Sequence, residues 1–283
     1  FVSFMGSTIG FGEIPYPFTD AQRVWVLISI YTSVVAWLYT IGSLLTLFQD
    51  PAFKHAITFQ TFRNTVKRQT EPFWIICGLG NIGHAVIERL ARNNVNVVVI
   101  DYDQYSLSTL ELADYGGWVP ALMADATVPE NLVAAGIAHP DCEGVIALAS
   151  DDTANLKIAI TANQLRVNPN LKVICRSENQ EVARNMESFG TNVVLNPFEI
   201  FSNHLGIAIH SPQLHTLGLW LTDNGETNLT KVKTPPTGRW VVCGYGQLGK
   251  SLEIILGKRK IDVTIIDPAP KDHHAPASSI TGL

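Results

Sequence analysis

The chain has 283 residues, room for roughly two domains or for one membrane element and a soluble part. Charged residues make up 16% and the net charge is -5, which excludes the basic face that a nucleic-acid partner demands. The four cysteines, Cys77, Cys142, Cys175 and Cys243, form no CxxC pair and the eight histidines no HExxH, so neither a zinc cluster nor a disulfide framework is expected and a reduced cytosolic setting fits.

The apolar excess lies near the N-terminus, where Ser7-Thr8-Ile9-Gly10-Phe11-Gly12-Glu13 leads towards a long uncharged run. Glycines at alternate positions let successive carbonyls turn the same way, through backbone angles that other residues avoid. Four such strands around an axis make a tube in which the carbonyl oxygens of Thr8, Ile9, Gly10 and Phe11, ahead of Gly12, replace the water shell of K+, with the Thr8 hydroxyl beneath them. One strand cannot surround an ion, so the reading requires several chains. The stretch resembles the Thr-Val-Gly-Tyr-Gly-Asp filter of the potassium channel family, with Ile9 for Val, Phe11 for Tyr and Glu13 for Asp. A glycine-rich turn before an apolar helix is the alternative. Phe1 to Gly6 then read as the last turns of a pore helix, and the chain as a fragment whose outer membrane helix lies upstream.

No charge occurs from Val24 to Phe48. About 25 helical residues span roughly 37 Å, more than the roughly 30 Å hydrocarbon core. Ser33, Ala36, Gly42 and Ser43 are small residues suited to close helix packing or bending. Lys54, Arg63, Lys67 and Arg68 follow this run while only Arg23 precedes it, which places the C-terminal side in the cytoplasm. The segment 51–71 reads either as an interfacial helix on anionic lipid or as a solvated linker helix.

The soluble part opens on a buried-strand pattern, Phe73 to Cys77, followed by Gly78-Leu79-Gly80-Asn81-Ile82-Gly83, a helical run to Arg92, and a second apolar strand from Val95 to Ile100 that ends in Asp101. This is the dinucleotide-binding fingerprint in its strand-turn-helix context. Gly78 makes the turn, Gly80 admits a phosphate to the backbone, Gly83 lets helix and strand approach, and the helix N-terminus favours an anion. Asp101 is expected to accept hydrogen bonds from an adenosine ribose. With Tyr102 rather than Arg beside it, NAD(H) or an adenine nucleotide is favoured over NADP(H). Strands are predicted over 117–123, 144–149, 171–176 and 192–195, giving a doubly wound parallel sheet with Asp125, Ala126, Asp151 and Asn155 at strand carboxyl ends. Asp151 reads first as a helix N-cap.

The fingerprint repeats at an offset of 166 residues: Cys243, Gly244, Gly246, Gly249 and Asp267 copy Cys77, Gly78, Gly80, Gly83 and Asp101, with Gln247 in the place of Asn81. The copy stops at Leu283, near its third strand. Between the copies, Phe198 to Ile209 reads as helical and the stretch to Pro235-Pro236 as a small dimerisation or lobe-linking segment.

In this order, filter, apolar helix, basic linker and two Rossmann units resemble a bacterial potassium channel with tandem RCK (TrkA-N) domains. The resemblance implies a pore over residues 1–50, a linker helix over 51–71, a first RCK domain over 72–200, a linking segment over 201–236 and the start of a second RCK domain over 237–283. It implies a homotetramer with an octameric RCK ring, in contact with lipid at the inner (plasma) membrane, that conducts K+ and is gated by a ligand rather than acting as an enzyme. The loop arginine of many such domains is replaced by Asn81 and Gln247, with Arg176 as another source of charge or an intersubunit salt-bridge partner, and Ca2+ is assigned no carboxylates. A membrane-anchored NAD-dependent oxidoreductase and a Trk or Ktr transport regulator are the alternatives.

Overall fold

The structure, a computed structural model, describes residues 16–113, 115, 117–222, 227–231, 234–236, 238–268 and 280–281. The expected filter, Thr8, Ile9, Gly10, Phe11 and Gly12, lies outside the described residues. The chain divides into two compact units, Phe1–Asn64 and Thr65–Leu283.

In the first unit, Thr19 starts α1 (Asp20–Gln49) through a capping box: its hydroxyl accepts from the Gln22 amide at 3.4 Å while Gln22 Oε1 accepts from the Thr19 amide at 2.9 Å. The helix has 30 residues and, by length and composition, can cross a membrane. None of its residues is buried, and Trp25, Leu27, Tyr31, Val35, Leu38 and Leu45 spread apolar surface around it. Water penalises such a helix and lipid does not. The hydroxyls of Thr32, Thr40 and Thr46 donate to the carbonyls of Ile28, Ala36 and Gly42 at 2.7–2.8 Å, so these polar atoms are satisfied within the helix itself. Asp50 adopts an extended backbone that ends α1, and its Oδ1 accepts from the Ala52 amide at 2.7 Å to start α2 (Pro51–Lys67). Pro51 takes the first helical position, where a missing N–H costs least.

The second unit is built on a six-stranded, wholly parallel sheet in the order β3-β2-β1-β4-β5-β6. Its strands are β1 (Phe73–Cys77), β2 (Asn96–Asp101), β3 (Ala121–Met123), β4 (Cys142–Ala147), β5 (Lys172–Arg176) and β6 (Val193–Leu195). The crossovers are α3 (Asn81–Arg92), α4 (Gln104–Leu112), α5 (Pro129–Ala134), α6 (Asp152–Leu165) and α7 (Gln180–Ser188). Ile75, Ile76, Val97, Val99, Val145 and Val173 are fully buried, as expected for central strands covered by helices on both faces. The strand predicted over 117–123 is shorter. Pro120 has no N–H to donate, and although Trp118 and Pro120 accept from Val97 and Val99 at 3.2 and 2.9 Å, the ladder begins only at Ala121.

Asn196 then caps α8 (Pro197–His210) by accepting from the Phe198 and Glu199 amides, so this helix begins ahead of the boundary expected at residue 200. It packs against both α9 (Pro212–Thr222) and α10 (Gln247–Lys258). The second fingerprint forms β7 (Trp240–Cys243), α10, β8 (Val263–Asp267) and β9 (Ile280–Thr281), parallel in the order β7-β8-β9.

Candidate functional site

At the end of β1 the chain turns at Gly78, whose φ is +106°, and a Cβ there would lie 2.9 Å from the Ala149 nitrogen. Its amide donates to the Ile100 carbonyl at 3.0 Å, which holds the turn against β2. Gly80 caps α3 with no side chain, and the space where its Cβ would sit is open. The first intrahelical bond is His84 N–H to the Gly80 carbonyl at 3.0 Å, so the Asn81, Ile82 and Gly83 amides precede the helix ladder. A Cβ on Gly83 would fall 2.3 Å from the Gly78 carbonyl oxygen. The third glycine is therefore dictated by helix meeting loop.

Asp101 ends β2 and is buried. One carboxylate oxygen accepts from the Leu79 amide and the other from the Asp103 amide at 2.7 Å, while its carbonyl accepts from the Ala124 amide at 2.9 Å. It fastens the glycine loop, the turn into α4 and the exit of β3 to one point. Asp103 caps α4, and the Ser106 hydroxyl and amide hold its carboxyl below the usual range. Tyr102 is 78% exposed at the rim.

These groups open on a cleft of about 850 Å³ above the carboxyl ends of the strands. Gly78, Leu79, Gly80, Asp101, Tyr102, Asp125 and Ala126, all expected from the sequence, line it. Asn81, Ile82 and Gly83 stand behind that wall, in the first turn of α3. Arg176 lines the far side and pairs with Glu178. Lys157 and Ser150, which no sequence motif marks, line it too. The spacing Asp151, Ala154, Lys157, Ile158 on a helix leaving β4 is the signal that points to Lys157.

Asp151 is the N-cap of α6, accepting from the Thr153 amide at 3.0 Å. Asn155, expected near a ligand, is instead fully buried: its Oδ1 accepts from the Ala149 amide at 2.9 Å, and its Nδ2 donates to the Ala149 and Arg176 carbonyls at 2.8 and 3.0 Å. It fixes the β4 loop to the end of β5. His204 and His215 face each other at 5.7 Å across α8 and α9, and neither lines the cleft.

The second copy repeats this geometry. Gly244 has φ +97°, a Cβ on Gly249 would lie 2.3 Å from the Gly244 carbonyl oxygen, and buried Asp267 accepts from the Tyr245 amide at 2.6 Å. Gly246 caps α10 as Gly80 caps α3, ahead of Gln247. Even the left-handed residue after the helix recurs, Asn94 at φ 56° and Lys260 at φ 58°. Counterparts of β4 and β5 are not among the described residues.

A family profile described as the TrkA-N domain matches residues 74–197. These residues carry a TrkA-N domain. The chain containing it is also similar to "Potassium channel protein 1" of Methanocaldococcus jannaschii, 25% identical over 268 residues that cover 93% of this chain and 78% of that protein. "Probable potassium channel protein 2" of the same organism is 25% identical over 194 residues, 69% of this chain and 54% of that protein. Among solved structures, the GsuK channel bound to NAD aligns with a TM-score of 0.53 at 15% identity, covering 94% of this chain and 59% of that channel. GsuK bound to ADP aligns with a TM-score of 0.52 at 17% identity, covering 94% and 62%. At such identities the likeness is one of fold. This chain spans less than two thirds of the GsuK channel's length.

Three of the four cysteines lie in strands of the six-stranded sheet, Cys77 at the end of β1, Cys142 at the start of β4 and Cys175 in β5. Cys77, Cys142 and Cys175 are buried, and burial pushes their thiols up, Cys142 and Cys175 to about 12, whereas Cys243 is exposed. A thiol so raised carries almost no thiolate at pH 8. Labelling of the native protein with a thiol reagent at pH 8 should therefore modify one cysteine, Cys243, and denaturation should release the other three. Rapid labelling of a second thiol before unfolding would contradict the burial.

Proposed function

We propose that this chain is the subunit of a potassium-selective channel whose conduction is set by a nucleotide in the TrkA-N cleft. The observation that carries the reading is a built nucleotide-type cleft in a chain that also holds one lipid-compatible helix and that is similar over 93% of its length to a protein named a potassium channel protein. Residues 1–50 form the pore, with K+ held by the carbonyls of Thr8 to Gly12 in a homotetramer. Residues 51–71 link it to a first RCK domain over 72–200, and the segment 201–236 leads to a second beginning at 237. Eight lobes form a ring beneath the pore. The protein lies in the plasma membrane, in lipid contact through α1, with the part after Lys54 in the cytoplasm.

The cleft favours NAD(H) or another adenine nucleotide. The α3 N-terminus and the open Gly80 face receive phosphate, and the Asp101 carboxylate edge receives ribose. The corresponding second-copy residues are Gly244, Gly246, Gln247, Gly249 and Asp267. The role is binding, not catalysis. A ligand biases a two-state ring only by its differential affinity, and a full reversal of the equilibrium needs a ratio of about 10⁴.

The test is K+ flux through the full-length protein in liposomes, with and without NAD+, NADH and ADP. Selective K+ flux changed by at least one of them is expected. Equal passage of K+ and Na+ under every condition would overturn the channel reading, and hydride transfer from NADH to an added carbonyl substrate would favour an oxidoreductase.

A further inference from the structure

The glycine loop from Gly78 to Gly83 contains no Lys or Arg, so any fixed positive side chain for a phosphate must come from elsewhere in the cleft. Two cations line the opposite wall, Lys157 on α6 and Arg176 at the end of β5. Among the described residues Lys157 makes no ion pair. Arg176 pairs with Glu178, yet its Nε is buried with no hydrogen-bond partner. Such a donor is costly unless something accepts from it. Nearby Asp152 does not compete, because its oxygens already accept from the Ser177 hydroxyl and the Glu178 and Asn179 amides at 2.8–3.0 Å.

Sheet geometry turns these positions into a ruler. Asp101 ends β2 and Arg176 ends β5, three strands across the order β2-β1-β4-β5, or about 14 Å at roughly 4.8 Å per strand. A ribose over β2 sets the first phosphate over β1 and its glycine loop. Whatever is attached beyond that phosphate then lies over β4 and β5, against the two cations.

We propose that Lys157 and Arg176 form a terminal-phosphate subsite, so that this cleft takes an adenosine polyphosphate in preference to AMP or NAD+. The proposal rests on the reading of the cleft as an adenine-nucleotide site. AMP does not reach the subsite, and NAD+ brings a positively charged nicotinamide ring against two cations. ADP or ATP brings the anion that both side chains, and the unpartnered Nε, can bind.

The test is equilibrium binding of AMP, ADP, ATP and NAD+ to the purified full chain, wild type and Lys157→Met. Lys157 is exposed, so the variant should keep the unliganded melting temperature. Wild type should bind ADP and ATP at least about tenfold more tightly than AMP or NAD+, the change expected from one charge-assisted hydrogen bond. Lys157→Met should erase most of that preference and leave AMP affinity as it was. An unchanged ADP-to-AMP ratio in the variant, or NAD+ binding as tightly as ADP to wild type, would overturn the subsite while leaving a nucleotide site in place. Absence of binding by all four nucleotides would overturn the nucleotide reading itself along with the subsite.

Discussion

Gly83→Ala should lower the stability of the TrkA-N domain by more than about 3 kcal/mol, a melting shift of roughly 6–12 °C for a unit of this size. The added methyl would stand 2.3 Å from the Gly78 carbonyl oxygen. Overpacking against a flexible side chain is relieved by a rotamer change, but in this loop the obstacle is backbone. Gly78 cannot retreat: its φ of +106° is set by the turn, its amide is bound to Ile100, and Ala149 fills the space behind it. Relief requires moving the N-terminus of α3 away from β1, which opens the core around Leu79 and Ile87 and breaks the Leu79 bond to Asp101. Gly80→Ala is the contrasting substitution. Its Cβ meets nothing within 4 Å and its φ of -70° suits any residue, so the melt should stay within about 1 kcal/mol of wild type while nucleotide binding weakens. Circular-dichroism melts of the two variants decide the matter. A Gly83→Ala protein that melts with wild type would remove the close contact, and with it the physical requirement for the third glycine.

The fold was legible where local chemistry and long-range pattern agree. Apolar runs at β1, β2 and β4 are largely buried, β5 alternates buried with part-exposed residues, and all are flanked by Gly, Asp or Asn, so their positions were readable to a residue or two. The 166-residue repeat announced a second loop, and the copy extends to the left-handed residue after each helix. The site was only half readable. Residues of the glycine loop and Asp101 belong to a motif and Arg176 was already expected as a source of charge, but Lys157 reaches the cleft only because β4 and the helix after it lie on the other side of β1. Asn155 shows the reverse error: a polar residue after a strand looks like a ligand contact, yet its amide closes three backbone hydrogen bonds and has none of its surface exposed. A buried clamp and a binding residue have the same sequence signature. Only the partners of the side chain distinguish them.

Gly10→Ala should reduce K+ flux in liposomes to the level of protein-free vesicles, and leave the TrkA-N melt and nucleotide affinity unchanged. A dehydrated ion is held in a filter only if rings of carbonyl oxygens replace its water, and each ring takes one oxygen from every chain. In the proposed tetramer, four altered chains would therefore lose a complete ring at once. In the proposed filter a methyl at Gly10 would disfavour the backbone angles that only glycine adopts readily, a carbonyl would be lost from the ring, and the ion would be dehydrated without compensation. Lys157→Met lies at the opposite functional extreme: conduction should persist and only its response to ADP should change. The two variants separate pore from sensor in one assay. Residual selective K+ flux through Gly10→Ala would show that Thr8 to Gly12 do not line the path. Loss of basal flux in Lys157→Met would show that the cleft supports the pore by folding with it rather than by sensing a ligand.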